Sequence, residues 1–217
     1  MPNRKLHHFL QVFNISYICS GSACEQAWTS IASDPAASTC LSVQQLVPFV
    51  TAAQNNASLV TPVTNWVTSL CSQPVCSKDT ISAVYKLVTA KCPPAAQWAF
   101  LEPAYYPTWH KVVCLKKFVF LSLLSWTDGL IFSHSANSTL CITELLTNIE
   151  SYSGTLTPAN FQKVFGNGAD LPATPANITC TNCTKAAYNI VINDVPSAVT
   201  SAKPAYQSLC GAAFVGG

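Results

Sequence analysis

Three cysteines frame a single amphipathic segment, CSQPVCSKDTISAVYKLVTAKC from Cys71 to Cys92, and no other stretch restricts the fold as much. Ser77 is suited to cap a helix N-terminus, and Asp79 falls in the first turn, where the helix dipole favours negative charge. Ile81, Val84, Tyr85, Val88 and Cys92 follow at helical spacing and form one apolar stripe. Pro93-Pro94 ends the helix, because proline has no N–H to donate and clashes with the preceding turn. Cys92 lies on the stripe, so its sulfur is expected in the core. The segment reads as a helix stapled at its ends.

The same cysteine usage bounds the compartment. The chain has 217 residues and eleven cysteines, with Cys19 the first. Scattered thiols in such number are unusual in a reducing cytosol unless they bind metal, whereas secreted domains use them as disulfides. Without Cys19 the count is even, and Cys24, Cys40, Cys71, Cys76, Cys92, Cys114, Cys141, Cys180, Cys183 and Cys210 are the expected half-cystines. Sequons at Asn14, Asn56, Asn137, Asn177 and Asn182 point the same way. Of these, Asn56, Asn137, Asn177 and Asn182 are the expected glycan acceptors. Charged residues make up 9% of the chain and its net charge is +2, too little to imply nucleic acid or anionic lipid as a partner. No apolar run reaches the ~18–20 residues of a membrane span.

Along the chain, residues 20–33 read as a helix stopped by Asp34-Pro35. Residues 42–53 place Val43, Leu46, Val47 and Val50 on one face, with Pro48 expected to kink or split them. Residues 58–70 carry Leu59, Val63, Trp66, Val67 and Leu70 at helical spacing. Residues 93–107, rich in Pro, Ala and aromatics but without a period, read as a linker between two helical halves, 19–92 and 107–217. Pro107 suits the first turn of a helix through TWHKVVCLK. In the second half, residues 139–152 form a helix with Ile142, Leu145, Leu146 and Ile149 inward and Gly154 as its stop. Thr157-Pro158 caps a short helix. Residues 180–195 form another, with Ala186, Ala187, Ile190 and Val191 inward, and a last helix lies around 197–209. Strand signals are absent. The expected fold class is all-α, a disulfide-stapled bundle of short amphipathic helices in two halves.

Candidate chemistry is sparse. Cys180-x-x-Cys183 has the spacing of half a zinc site or a redox pair, but no histidine follows His134 and no βαβ context surrounds it. Half-cystines are the expected roles. His110, beside Trp109 and Lys111, reads as a surface or packing residue. Glu144 and Glu150 are six apart, so one helix does not present them together as a catalytic pair. The tryptophans Trp28, Trp66, Trp98, Trp109 and Trp126 could line a carbohydrate or lipid pocket, though Trp66 sits on an apolar stripe and reads as core. Nucleophile elbows, zinc-protease motifs, phosphate loops and calcium loops are not found. No catalytic, metal or cofactor residue is assigned.

The segments YPTWHKVVC (106–114), STLCITELLTNI (138–149) and CTNCTKAAYNI (180–190) resemble fungal secreted proteins that carry the domain of unknown function 7729. CLSVQQLVPFVT and WVTSLCSQPVC extend the likeness into the first half. The resemblance covers roughly residues 20–115 and 136–215, and implies a helical, disulfide-bonded ectodomain, in many members followed by a lipid-anchor tail. It brings no activity.

Against that pattern, residues 1–18 are not expected to act as a signal peptide, no anchor tail is expected within residues 1–217, and residues 118–134 are expected to be additional. Residues 1–18 read as a non-native or disordered N-terminal segment. Residues 118–134 read as an insert, either a buried helix or hairpin between Cys114 and Cys141, or a translated intron. Codons for Val119, Thr127-Asp128 and His134-Ser135 can carry donor, branch-point and acceptor signals, and the intron reading is the one preferred.

The sequence thus leads to a non-enzymatic secreted protein, extracellular or attached to the cell surface or wall, without cofactors. A second reading is a carrier of a small apolar ligand such as a sterol. Cys71-x4-Cys76 before an amphipathic helix ending in Cys92 is similar in outline to elicitin-type sterol binders. A cavity lined by Leu, Val and Trp would support it.

Overall fold

Helix propensity, capping residues and prolines set the element boundaries seen in a computed structural model, which describes residues 22–92, 95–117, 139–160, 175–196 and 203–216. The expected N-terminal segment, Cys19, the 118–134 insert with Trp126 and His134, and the sequons at Asn14 and Asn137 lie outside these residues. Helix α1 (Ser22–Ser33) is followed by α2 (Pro35–Cys40). Asp34 separates them as the N-cap of α2, its Oδ1 accepting from the Ala37 N–H at 2.9 Å, with Pro35 in the first turn.

A 3-10 turn, Val43–Leu46, then passes directly into α3 (Val47–Gln54). Pro48 falls in the first turn of α3, where its missing N–H costs nothing, so the expected split occurs just before it. Helix α4 spans Val60–Ser72 and α5 spans Lys78–Lys91. The Ser77 cap forms as expected, accepting from the Thr80 N–H at 3.1 Å. Ile81, Val84, Val88 and Cys92 are buried along α5, with Tyr85 partly buried beside them.

Residues 93–107 differ from the linker expected there. A 3-10 helix, Ala95–Leu101, leads into α6 (Tyr106–Val113), and Trp98, Leu101 and Tyr106 are among the most buried side chains of the first core. The Trp98 indole N–H donates to the Cys92 carbonyl at 2.7 Å. Trp98 packs against Trp28 at 5.6 Å between ring centroids, and Phe100 against Trp109 at 5.1 Å. Aromatic rings in a 3-10 turn bury by ring contacts, which leave no 3.6-residue period to read.

The second part contains α7 (Cys141–Ser153), α8 (Ala176–Thr179), α9 (Asn182–Asp194), α10 (Lys203–Cys210) and α11 (Ala212–Val215). Gly154, at φ 82°, ends α7 in a conformation that disfavours any residue with a Cβ. Thr157 caps residues 158–160 through the Asn160 N–H. Along α9 the deeply buried residues are Cys183 and Tyr188. The expected stripe of Ala186, Ala187, Ile190 and Val191 is only half-buried; Val191 packs with the more deeply buried Tyr188 in a cluster that includes Tyr206 and Phe214.

Buried apolar residues fall into three small clusters. The first joins α1, α2, α5, the 95–101 turn and α6. The second joins α4, α7, α8 and Leu156, and the third lies among α9, α10 and α11. Helix α4 packs on the 43–46 turn, on α6 and on α7, so it links the residues on either side of 93–107.

Five disulfides span these clusters. Cys24–Cys92 and Cys40–Cys76 staple the first. Cys71–Cys114 ties α4 to the end of α6, Cys141–Cys183 ties α7 to α9, and Cys180–Cys210 closes the third. Each restricts the unfolded chain and is worth about 2–4 kcal/mol. The architecture is all-α and disulfide-stapled. Among the described residues, extended pairing is confined to one antiparallel bridge, Lys116 with Leu140.

Candidate functional site

The Cys180-x-x-Cys183 pair is resolved by its partners: Cys180 bonds to Cys210 and Cys183 to Cys141. Cys180 ends α8, while Cys183 sits in the first turn of α9, whose N-cap Thr181 accepts from the Thr184 N–H at 3.2 Å. Between the two sulfurs α8 ends and α9 begins, and they bond to different helices. Both are half-cystines, as expected, and so are the other eight of the ten. Among the described residues no group of three His, Cys, Asp or Glu side chains is placed to hold a metal ion.

The two glutamates of α7 serve separate ends of that helix. Glu144 pairs with Lys117, the Nζ lying 3.1 Å from its carboxylate. Glu150 is a clasp between α4 and the turn after α7. Its Oε2 accepts from the Ser58 hydroxyl at 3.1 Å and its Oε1 from the Leu156 N–H at 3.0 Å. Leu156 returns the contact, its carbonyl accepting from the Leu59 N–H at 3.0 Å. The carboxylate therefore substitutes for backbone acceptors at a helix junction.

Chemically the densest element is α6, over Tyr106, Thr108, Trp109, His110, Lys111 and the following Cys114. One face meets sulfur. The buried Tyr106 hydroxyl donates to Cys76 Sγ at 3.3 Å, and the His110 Nε2 lies 3.8 Å from Cys114 Sγ. Burial pushes the Tyr106 phenol up, and hydrogen bonding from the Cys76 backbone works against that shift. Burial lowers the His110 imidazole, and hydrogen bonding to the Leu70 backbone opposes the change. His110 is only 8% exposed, so its role is internal and it is not a surface residue.

The opposite face meets α9. Asp194 accepts from the Thr108 hydroxyl at 3.1 Å and from Lys111 at 2.7 Å. Hydrogen bonds from Lys111 and Thr108 hold its carboxyl below the usual range. The i, i+4 spacing of His110 and Cys114 was visible in the sequence. The Tyr106–Cys76 and Thr108–Asp194 contacts depend on how α6 lies across its neighbours, and no spacing announces them.

The tryptophans among the described residues are engaged with one another. Trp66 lies 6.3 Å from Trp109 and donates its indole N–H to the Leu41 carbonyl at 3.0 Å. A cleft of about 210 Å³ opens nearby, lined by Ser38, Thr39, Ser42, Gln44, Gln45, Ser69 and Gln73. Ser42 is buried with φ 49°, as the left-handed residue that follows α2, and its hydroxyl meets Ser69 Oγ at 3.2 Å. The lining is hydroxyl and carboxamide, without the Leu, Val and Trp wall that a sterol carrier calls for. Asn56, Asn177 and Asn182 are all exposed, which is the placement a glycan acceptor requires.

No helix among the described residues is long and apolar enough to cross a membrane. Comparison of the chain with family models, with curated proteins and with solved structures gives no match.

Proposed function

We propose that this chain is the folded part of a secreted, non-catalytic protein that works outside the cell, at the cell surface or in the wall. The observation that carries the reading is the set of five disulfides tying together three small cores. Cross-links of this density form and persist in oxidising compartments. Such a design suits a protein that must keep its shape among proteases and polymers, where resistance to local opening matters more than turnover. The exposed sequons at Asn56, Asn177 and Asn182 support the same route, as does the likeness of the CTNCTKAAYNI segment to fungal secreted proteins. The two glutamates and Asp194 support a structural role for the carboxylates, since each is committed to a helix junction.

The test is an intact mass of the protein collected from the medium or wall fraction of its host, before and after deglycosylation and reduction. The expected protein loses glycan mass and gains two hydrogens per disulfide on reduction. A fully reduced, unglycosylated protein confined to the cytosol overturns the proposal.

A further inference from the structure

The five disulfides are not equally placed for chemistry. Cys24 and Cys92 are fully buried, and Cys76, Cys141 and Cys183 are nearly so. In Cys71–Cys114 and Cys180–Cys210 both residues are of intermediate exposure. What separates these two is His110, the one histidine among the described residues, whose Nε2 lies 3.8 Å from Cys114 Sγ. Its position is held by helix α6 one turn before Cys114 and by packing against Tyr106, 6.0 Å away between ring centroids.

A disulfide opens when a thiolate attacks one sulfur in line with the other, and the rate rises as the departing thiol becomes more acidic. A ring nitrogen beside a cysteine sulfur favours its thiolate, by donating a hydrogen bond or by taking up the thiol proton. We propose that Cys71–Cys114 is a thiol–disulfide exchange site for an external thiol, with Cys71 the sulfur attacked and Cys114 the sulfur that departs beside His110.

The chemistry balances in two steps. An incoming thiolate bonds to Cys71 Sγ, the Cys71–Cys114 bond breaks, and its electron pair leaves on Cys114 as a thiolate that His110 stabilises. A second external thiolate then attacks the incoming sulfur of the mixed disulfide and releases Cys71 as a thiolate. Two external thiols are oxidised to one disulfide, and the two cysteines are reduced. If the second thiol does not arrive, the protein stays covalently joined to the first. Opening the bond separates α4 from the end of α6 while the two staples of the first core remain closed. This inference stands apart from the cellular location proposed above.

The experiment is partial reduction of the native oxidised protein by limiting dithiothreitol, quenched by alkylation, with labelled cysteines mapped by mass spectrometry. Cys180–Cys210 is the internal reference, its two residues also of intermediate exposure and with no histidine beside them among the described residues. Cys71 and Cys114 are expected to be labelled roughly tenfold faster than Cys180 and Cys210. In His110→Leu that ratio should fall about tenfold, and His110→Gln, which keeps a hydrogen-bond donor, should restore part of it. Equal or faster opening of Cys180–Cys210 in the unaltered protein overturns the proposal, a result that needs no variant to fold. So does a His110→Leu protein in which both bonds speed up or slow down together, because that is a general change in stability.

Discussion

Removing residues 118–134 tests the reading of that segment as an insert, and the structure sets the size of the expected effect. Residues on either side are already joined. The Lys117 N–H donates to the Thr139 carbonyl at 2.9 Å, and the Cys141 N–H donates to the Leu115 carbonyl at 2.8 Å. Lys117 is anchored again by its ion pair with Glu144. Deletion leaves only residues 135–138 to close this bridge, a length common in hairpin loops. Shortening the connection from 21 residues to four reduces its closure entropy by (3/2)RT ln(21/4), about 1.5 kcal/mol.

The opposing term is burial. The deleted stretch includes Phe118, Phe120, Leu121 and Leu123, and a fully buried side chain of this kind contributes about 1.5–3 kcal/mol. Loss of even two such residues from a core would exceed the entropic gain. The sign of the change therefore decides between a translated intron and a buried helix or hairpin. Guanidinium denaturation of the full-length and shortened proteins, with the disulfides mapped in both, is the assay. The expected result is the same five bonds and a stability equal or up to about 1–2 kcal/mol higher. A drop of more than about 3 kcal/mol, or scrambled pairing, refutes the intron reading.

Glu150→Ala removes both acceptors of the clasp and leaves the Leu156 N–H without its partner, so it should cost about 2 kcal/mol in the same denaturation assay. Glu150→Gln should cost less, because its amide oxygen still accepts one bond. Tyr188→Phe should be neutral or stabilising by up to about 1 kcal/mol, since the buried Tyr188 hydroxyl finds no hydrogen-bond partner among the described residues. A loss above about 1 kcal/mol would show that the hydroxyl has a partner.

The pH dependence follows from His110, whose folded-state value is lowered by burial from 6.5. The unfolded chain then binds the proton more readily than the fold, and stability should decline as pH falls from about 6.5 through the folded-state value. His110→Gln should flatten that part of the stability profile. An unchanged slope would mean that His110 titrates alike in both states.

Much of the fold was legible in the local sequence. Ser77 and Asp34 act as caps, Pro48 and Gly154 act as breaks, and the stripe Ile81, Val84, Val88 and Cys92 is buried as its spacing requires. These features depend on neighbours within a few residues, where backbone sterics and the helix period act alone. The all-α class and the use of ten cysteines as half-cystines follow from the same local rules and from redox chemistry.

Tertiary structure decided what rests on distant partners. Spacing could not choose which cysteine meets which, because a disulfide needs only two sulfurs brought together and many foldings of a flexible chain do that. Residues 93–107 looked like a linker, yet Trp98, Leu101 and Tyr106 complete the first core, since ring packing leaves no period in the sequence. On α9, Tyr188 is likewise buried more deeply than Ala186, Ala187, Ile190 and Val191, the residues expected to face inward. At the sulfur-facing side of α6, the turn from His110 to Cys114 is a property of one helix, whereas the sulfur bonded to Cys114, that of Cys71, comes from α4. Local sequence set the helices and their caps. Packing across the chain decided which of their faces meet.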